Sequence, residues 1–266
     1  MKYKHLLFEE LEPGIGLLRL NRPEKLNALN LEMVDELYDL FRVLKAGTTV
    51  RILIITGEGK GFCAGADLDF KKPAGFGIPM KELLTDTTRY LESRQKRVSG
   101  LVVEMYRLPQ PIIAAVNGAA AGGGLGLALA ADIIYAGPQA RFTASFVNLG
   151  LTGGEVGTSY FLPSRIGRPR TAEFLMTGRT IDAEEADKIG LVCRAVEEDQ
   201  LMDVAMNTAR QMIAKSETGL RLTKAVLNVN THAASLEAAV DLEDRNQSLL
   251  VFGPDFKQKV EEFSNI

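Results

Sequence analysis

Four short runs, "GIGLLRLN", "VRILIITG", "PIIAAVNG" and "ADIIYAG", are almost unbroken in apolar and small residues. They lack the apolar–polar alternation of a half-exposed strand. They predict strands covered on both faces. Helical patterning lies between them. "NLEMVDELYDLFRVLKAG" brings Met33, Leu37, Leu40, Phe41 and Leu44 to one face and stops at Gly47. "MKELLTDTTRYLESRQKRVSGLVVEMYRL" predicts a long second helix with a polar, mixed-charge face, and the glycine- and proline-rich "FKKPAGFGIP" before it predicts a loop. From about Asp182 onward, after one brief apolar segment "GLVCRAV", helices dominate. The expectation is an α/β chain with a helical tail and no internal sequence repeat.

Composition narrows this picture. A chain of 266 residues buries a sizeable core, as one large domain or two smaller ones. A net charge of −3 implies no general attraction to nucleic acid or anionic lipid. "MKYKHLLFEELE" lacks the apolar core of a signal peptide, and its glutamates argue against a transit peptide. The apolar run around Ala119 is glycine-rich and interrupted at Asp132, so it reads as buried core and not as a membrane span. Cys63 and Cys193 form no CxxC motif, and free thiols in a reducing, cytoplasmic compartment are the expectation. With only His5 and His232, histidine triads and histidine metal sites have little material.

The stretch "AAAGGGLGLALAADI", Ala119–Ile133, needs its backbone to come close to something. It fails the dinucleotide fingerprint, whose third glycine would fall on Leu127 or Leu129, and no lysine follows for a P-loop. Close helix–strand packing accounts for one or two glycines. Four glycines in five positions, opening a helix, also suggest backbone N–H groups left free to donate at the positive helix end. "ITGEGKGFCAGADL" has the same character, running from a strand into Gly65, Ala66 and Asp67. Two such donors from separate segments would make an oxyanion hole.

"LNRPEKLNALN", "ITGEGKGFCAGADL", "AAVNGAAAGGGLGLALAADI" and "LTGRTIDAEEADKIGLVCRAV" resemble, in order and spacing, the successive signatures of the enoyl-CoA hydratase/isomerase (crotonase) superfamily. The resemblance implies an α/β crotonase-like spiral of ββα units over residues 1–195 and a C-terminal helical trimerisation region over 196–266. It implies an acyl-CoA thioester as substrate, with coenzyme A present only as part of that substrate, and a homotrimer or dimer of trimers. The N–H groups of Ala66 and Gly123 would hold the thioester oxygen. Contacts to the substrate are implied for Lys25, Ala64, Ala66, Asp67, Leu68, Gly122 and Gly123. No metal, nucleic acid or membrane is implied.

The acid/base groups depart from the family's hydratases. Those use two glutamates, and the corresponding places here hold Gly126 and Phe146. One carboxylate stands nearby, Glu155 in "LGLTGGEVGTSYFLPSRIG", a glycine turn ahead of a helix. It is the candidate acid/base, against the simpler reading that it favours a positive helix start. Asp67 reads as a cap or a loop pin, Asp132 as a structural partner at a helix end, and Cys63 as a small buried hydrophobe. Ser145 has no base to activate it. Arg89, Arg94, Lys96 and Arg97 read as a solvated helix face before they read as a phosphate site. Phe62, Phe70, Phe142, Phe146 and Tyr160 are candidates for the wall of an acyl pocket. The leading expectation is double-bond isomerisation of an enoyl-CoA with Glu155 as single acid/base. Single-carboxylate hydration of an unusual enoyl-CoA stands next, and a noncatalytic CoA-binding scaffold is the alternative from another class. RNA binding is set aside because the first helix carries Glu32, Asp35, Glu36 and Asp39, which would repel phosphates.

Overall fold

The structure, a computed structural model, describes residues 2–67 and 85–264. The four apolar runs become β2 (Ile15–Leu20), β3 (Ile52–Gly57), β5 (Ile112–Val116) and β7 (Ile133–Ala136). With β1 (Leu6–Glu12) and β10 (Arg194–Ala195) they form one six-stranded sheet in the order β1-β2-β3-β5-β7-β10. Every pairing is parallel except the antiparallel β1–β2 pair at the edge. The charged, half-exposed pattern of β1, with Glu9, Glu10 and Glu12, suits an edge strand.

The near-continuous apolarity of the runs has a plain cause. Alternate residues point to opposite faces, and both faces are covered. Leu18, Leu20, Leu53, Ile55, Ala114 and Ile134 face the larger core, which includes Met33, Leu37, Leu40, Phe41 and Leu44 of helix α1 (Leu31–Ala46). Helix α1 opens on an Asn30 cap, whose side chain accepts the Met33 N–H, and closes at Gly47. Ile15, Leu17, Ile52, Ile54, Ile113, Ala115 and Tyr135 face the other way. Leu201, Ala205, Met206 and Ala209 of the helix Leu201–Ile213 cover them. The segment "LMDVAMNTARQMIA" thus has a use inside the chain. Its apolar face is needed by the chain's own sheet.

A second, four-stranded sheet interleaves with the first. It consists of β4 (Gly61–Cys63), β6 (Ala119–Ala121), β8 (Arg141–Thr143) and β9 (Thr180–Asp182), in that order. Each long strand β3, β5 and β7 is thus followed by a short strand in the second sheet and then by a helix. This ββα recurrence leaves no trace as a sequence repeat because the short strands are three residues long. The long second helix is also corrected. Its described part is a turn of helix Thr87–Tyr90, a π-helical stretch Leu91–Gln95, and helix α2 (Lys96–Tyr106). The loop "FKKPAGFGIP", with Phe70, and also Leu68, lie outside the described residues.

Helix α3 (Gly123–Ala130) is buried at every residue, so no amphipathic stripe marks it. Its length of eight residues crosses the middle of the molecule, against β4 on one side. At its far end Asp132 accepts the Ile112 N–H at 2.7 Å and the buried Lys224 ammonium at 2.8 Å. Lys224 also donates to the Gln110 carbonyl at 2.9 Å, which ties the helix Glu217–Asn230 to the core. Asp132 is thus the structural partner expected at a helix end. Among the described residues no helix is long and apolar enough to cross a membrane.

The approach of α3 to β4 supplies a test of the fold. A Cβ on Gly124 would collide with the Cys63 backbone carbonyl, which cannot swing aside as a side chain would. Gly124→Ala should destabilise the chain by about 3 kcal/mol, the upper part of the range for overpacking. Urea denaturation followed by circular dichroism reads this directly, and an unchanged midpoint would contradict the packing.

Candidate active site

Three backbone segments meet at the start of α3. The first is Ala64–Asp67. Ala64 N–H donates to the Leu26 carbonyl at 2.9 Å, Leu29 N–H to the Gly65 carbonyl at 2.7 Å, and Asp67 N–H to the Leu29 carbonyl at 3.0 Å. The last two form an isolated parallel bridge between Leu29 and Ala66. A bridge of this kind uses the groups flanking Ala66 and turns the Ala66 N–H away from Leu29. Asp67 is held in turn by Arg22, whose guanidinium donates to its carboxylate at 2.7 Å. Asp67 therefore pins the loop, as one reading of the sequence had it. Cys63 is fully buried and its thiol is pushed up to about 12, so it is the small hydrophobe expected.

The second segment is the turn into α3. Gly122 has φ +51° and ψ −116°, a region closed to residues with a Cβ. Its N–H is used by the Thr143 carbonyl at 3.1 Å. Gly123 is the first helical residue, so its N–H has no acceptor within the helix. Gly123 N lies 3.3 Å from the Cβ position of Gly65, and Gly65 Cα lies 3.9 Å from the Cβ position of Gly123. The Ala66 and Gly123 segments are thus immediate neighbours. Leu29, Val98 and the ring of Phe146 close around them, Phe146 beside Gly122 and Val98 beside Gly123.

The third segment carries Glu155. Its backbone N–H donates to the Thr158 hydroxyl at 3.1 Å, and that hydroxyl donates to the Glu155 carbonyl at 2.8 Å. Next to it Val156 is buried with φ +46°, a strained conformation for a β-branched residue and a mark of a segment held in place by its surroundings. Val156 packs directly on α3. A Cβ on Gly126 would lie 2.7 Å from the Val156 carbonyl oxygen. Gly126, where a hydratase glutamate would stand, is therefore the seat of the turn that bears Glu155.

The Glu155 carboxylate is half-buried and accepts the Gln95 amide N–H at 2.5 Å. Burial raises its pKa above the ordinary carboxylate value, and the Gln95 hydrogen bond opposes that rise. Gln95 went unread in the sequence. The signal was present: Gln95, Val98 and Val102 follow a helical i, i+3, i+7 spacing, and a polar residue heads an otherwise apolar stripe. Val98 reaches Gly123 and Val102 reaches Gly157, so Gln95, at the head of the same stripe, meets Glu155.

Other expectations resolve differently. Lys25 is exposed in the turn Pro23–Lys25. That turn is tied to β4 through the buried Asn27, which donates to the Glu58 and Gly61 carbonyls at 2.9 and 2.7 Å. Lys96 pairs with Glu92, and Arg97 with Asp35. Phe62 and Phe142 are fully buried in the core. Tyr160 stacks with Tyr106, Phe161 and His232. Among the described residues no group of His, Cys, Asp and Glu is arranged to hold a metal ion.

This architecture, with a long and a short sheet interleaved and a glycine-opened buried helix between them, is that of the crotonase fold. The Enoyl-CoA hydratase/isomerase family profile matches residues 10–264, and the chain belongs to that family of enzymes. It is 43% identical to a probable enoyl-CoA hydratase of Mycobacterium tuberculosis, over 91% of this chain and 83% of the relative. It is 34% identical to the 1,2-epoxyphenylacetyl-CoA isomerase of Escherichia coli, over 97% and 94%. A crystal structure of a monofunctional enoyl-CoA isomerase from Mycobacterium smegmatis superposes with a TM-score of 0.73 at 37% identity, over 89% and 98%.

The raised pKa of Glu155 has a consequence for stability. The native state holds this proton to higher pH than the unfolded chain does. Stability from this group is therefore present below the unfolded pKa and falls as pH rises through the native one. Glu155→Gln, which cannot ionise, should melt above the parent protein at about pH 8, and the gap should close toward about pH 4. Thermal melts across that range check it; a variant that melts below the parent at about pH 8 would contradict the cause assigned to the shift.

Proposed function

We propose that the chain moves a double bond in an enoyl-CoA thioester, with Glu155 as the single acid/base. The Ala66 and Gly123 N–H groups would hold the thioester oxygen as negative charge develops on it. Such charge makes the proton on the neighbouring carbon easier to remove. Glu155 in its ionised form takes that proton and returns it two carbons further along. The observation that carries this reading is the packing of Val156, the residue after Glu155, on Gly126 of α3, one turn from Gly123, where Gly126 supplies no carboxylate of its own. The second hydratase position, Phe146, is a half-buried ring beside Gly122. A two-carboxylate hydration lacks both of its groups. Lys25, exposed in the turn Pro23–Lys25, is the proposed contact for the CoA phosphates.

Gly123→Pro would delete one oxyanion donor. The loss of one such donor costs about 10²–10³ in rate. Glu155→Gln keeps the shape of the side chain and removes the base. Acyl-CoA binding should persist while turnover falls by about 10² or more, the scale of general acid–base catalysis. Incubation with 2-enoyl-, 3-enoyl- and dienoyl-CoA thioesters, read by mass spectrometry and chromatography, identifies the reaction. Isomerisation leaves the mass unchanged. Addition of the mass of water would overturn isomerisation in favour of single-carboxylate hydration, and no turnover of any thioester would favour a CoA-binding scaffold.

Self-assembly as a trimer or pair of trimers is supported by the C-terminal helices. The helix Leu236–Val251 has no buried residue, and Leu227, Leu236, Leu249, Phe252 and Phe263 are all more than half exposed. Apolar surface of this extent is what subunit contact covers. Light scattering at micromolar concentration should give three or six times the 29.0 kDa chain mass; a monomer mass would contradict it.

A further inference from the structure

We infer that Gln95 is a positioning residue for the proton transfer at Glu155, holding its carboxyl group by a hydrogen bond in both protonation states. The inference rests on the reading of Glu155 as the base. Its ground is geometric. The Gln95 amide N–H reaches Glu155 Oε1 at 2.5 Å. Its own carbonyl accepts the Ser99 hydroxyl at 2.9 Å, and it closes the π-helical stretch Leu91–Gln95. A π turn carries one more residue than an α turn and so changes which side chain heads a stripe. Here the residue at the head, above Val98 and Val102, is an amide.

An amide fits this duty for a chemical reason. It is neutral and carries a donor and an acceptor at the same end. Toward the ionised carboxylate it presents its N–H. After a half-turn about its last side-chain bond it presents Oε1, which accepts the O–H of the protonated acid. The proton itself moves only between the substrate carbons and Glu155; Gln95 neither gains nor loses one. A lysine or arginine in its place would favour the ionised acid, and a carboxylate would favour the protonated one. An acid/base that must serve as both within one turnover needs neither state locked. An alternating partner meets that need.

Charged neighbours do not take over this role among the described residues. On the elements packed around Glu155, Lys96 pairs with Glu92 and Arg97 with Asp35. Helix α3 and the segment Phe146–Gly154 carry no charge. On the helix that follows, Arg165 is turned onto the Leu129 and Ala131 carbonyls at 2.7 and 3.0 Å.

The test is the pH profile of kcat/KM for Gln95→Met and Gln95→Lys beside the parent enzyme. The acid limb reports ionisation of the base in the free enzyme. Gln95→Met loses the donor and should move that limb up by about one pH unit, with kcat reduced about tenfold. Gln95→Lys should move it down and also lower kcat, because the protonated acid is now disfavoured. A merely structural glutamine would lower activity without moving the limb in opposite directions. Should Gln95→Met fail to fold, a downward limb in Gln95→Lys still supports the inference and an unmoved limb overturns it. Glu155→Gln measured alongside separates the two proposals. Lost turnover there with unmoved limbs here overturns the role of Gln95 alone; retained turnover there overturns the base and this inference with it.

Discussion

Everything at this site depends on three backbones approaching one short helix. Helix α3 opens with Gly122, Gly123 and Gly124 and continues through Gly126. The absence of side chains on two of its sides admits β4 at Gly124 and the Glu155–Val156 turn at Gly126. The glycines do two jobs that composition alone could not separate. Some are there for packing, and Gly123 sits where a free N–H and close approach coincide. Helix geometry leaves the Gly123 N–H without an acceptor inside the helix, and the approach of Gly65 brings the second segment beside it.

The two ends of α3 are treated oppositely. At the C-terminal end, the last carbonyls accept from Arg165, and Asp132 is paired with Lys224. Burial pushes Arg165 down to about 10, so it stays charged at neutral pH while its guanidinium meets the negative end of the helix. Among the described residues the N-terminal end meets Leu29, Val98 and the Phe146 ring, with the Ser145 hydroxyl beside Gly122. An apolar surround strengthens any hydrogen bond made there to a developing oxyanion, because competing water is kept out. It also accounts for the raised pKa of Glu155, which brings a carboxyl group nearer to the range where it can both accept and donate a proton.

The strands β2, β3, β5 and β7, helix α1 and its caps were legible because each writes its burial into local spacing. The short strands β4, β6 and β8 were not, since three residues carry no periodicity. Helix α3 was read from its glycines and not from amphipathicity, which a helix buried all round does not possess. The break at Leu91–Gln95 was invisible because a π turn differs from an α turn by one residue. The hydrogen bond between Gln95 and Glu155 is not legible in the sequence, because sixty residues separate the two and only tertiary packing joins them. Phe62 and Phe142 belong to the core, which an aromatic beside a motif fills as readily as it walls a pocket.

The proposed isomerisation requires one convergence, a thioester oxygen at Ala66 and Gly123 with Glu155 facing the carbon next to it. A crystal structure with a bound 3-enoyl-CoA, or a stable analogue with the same acyl chain, tests it most directly. The account predicts the thioester oxygen within about 3 Å of both nitrogens, a hydrogen-bonding distance. It predicts a Glu155 carboxylate oxygen about 3–3.5 Å from the acyl α-carbon, the separation of reacting atoms in a near-attack arrangement. An oxygen bound away from either N–H, or a Glu155 carboxylate directed away from the acyl chain, would contradict it.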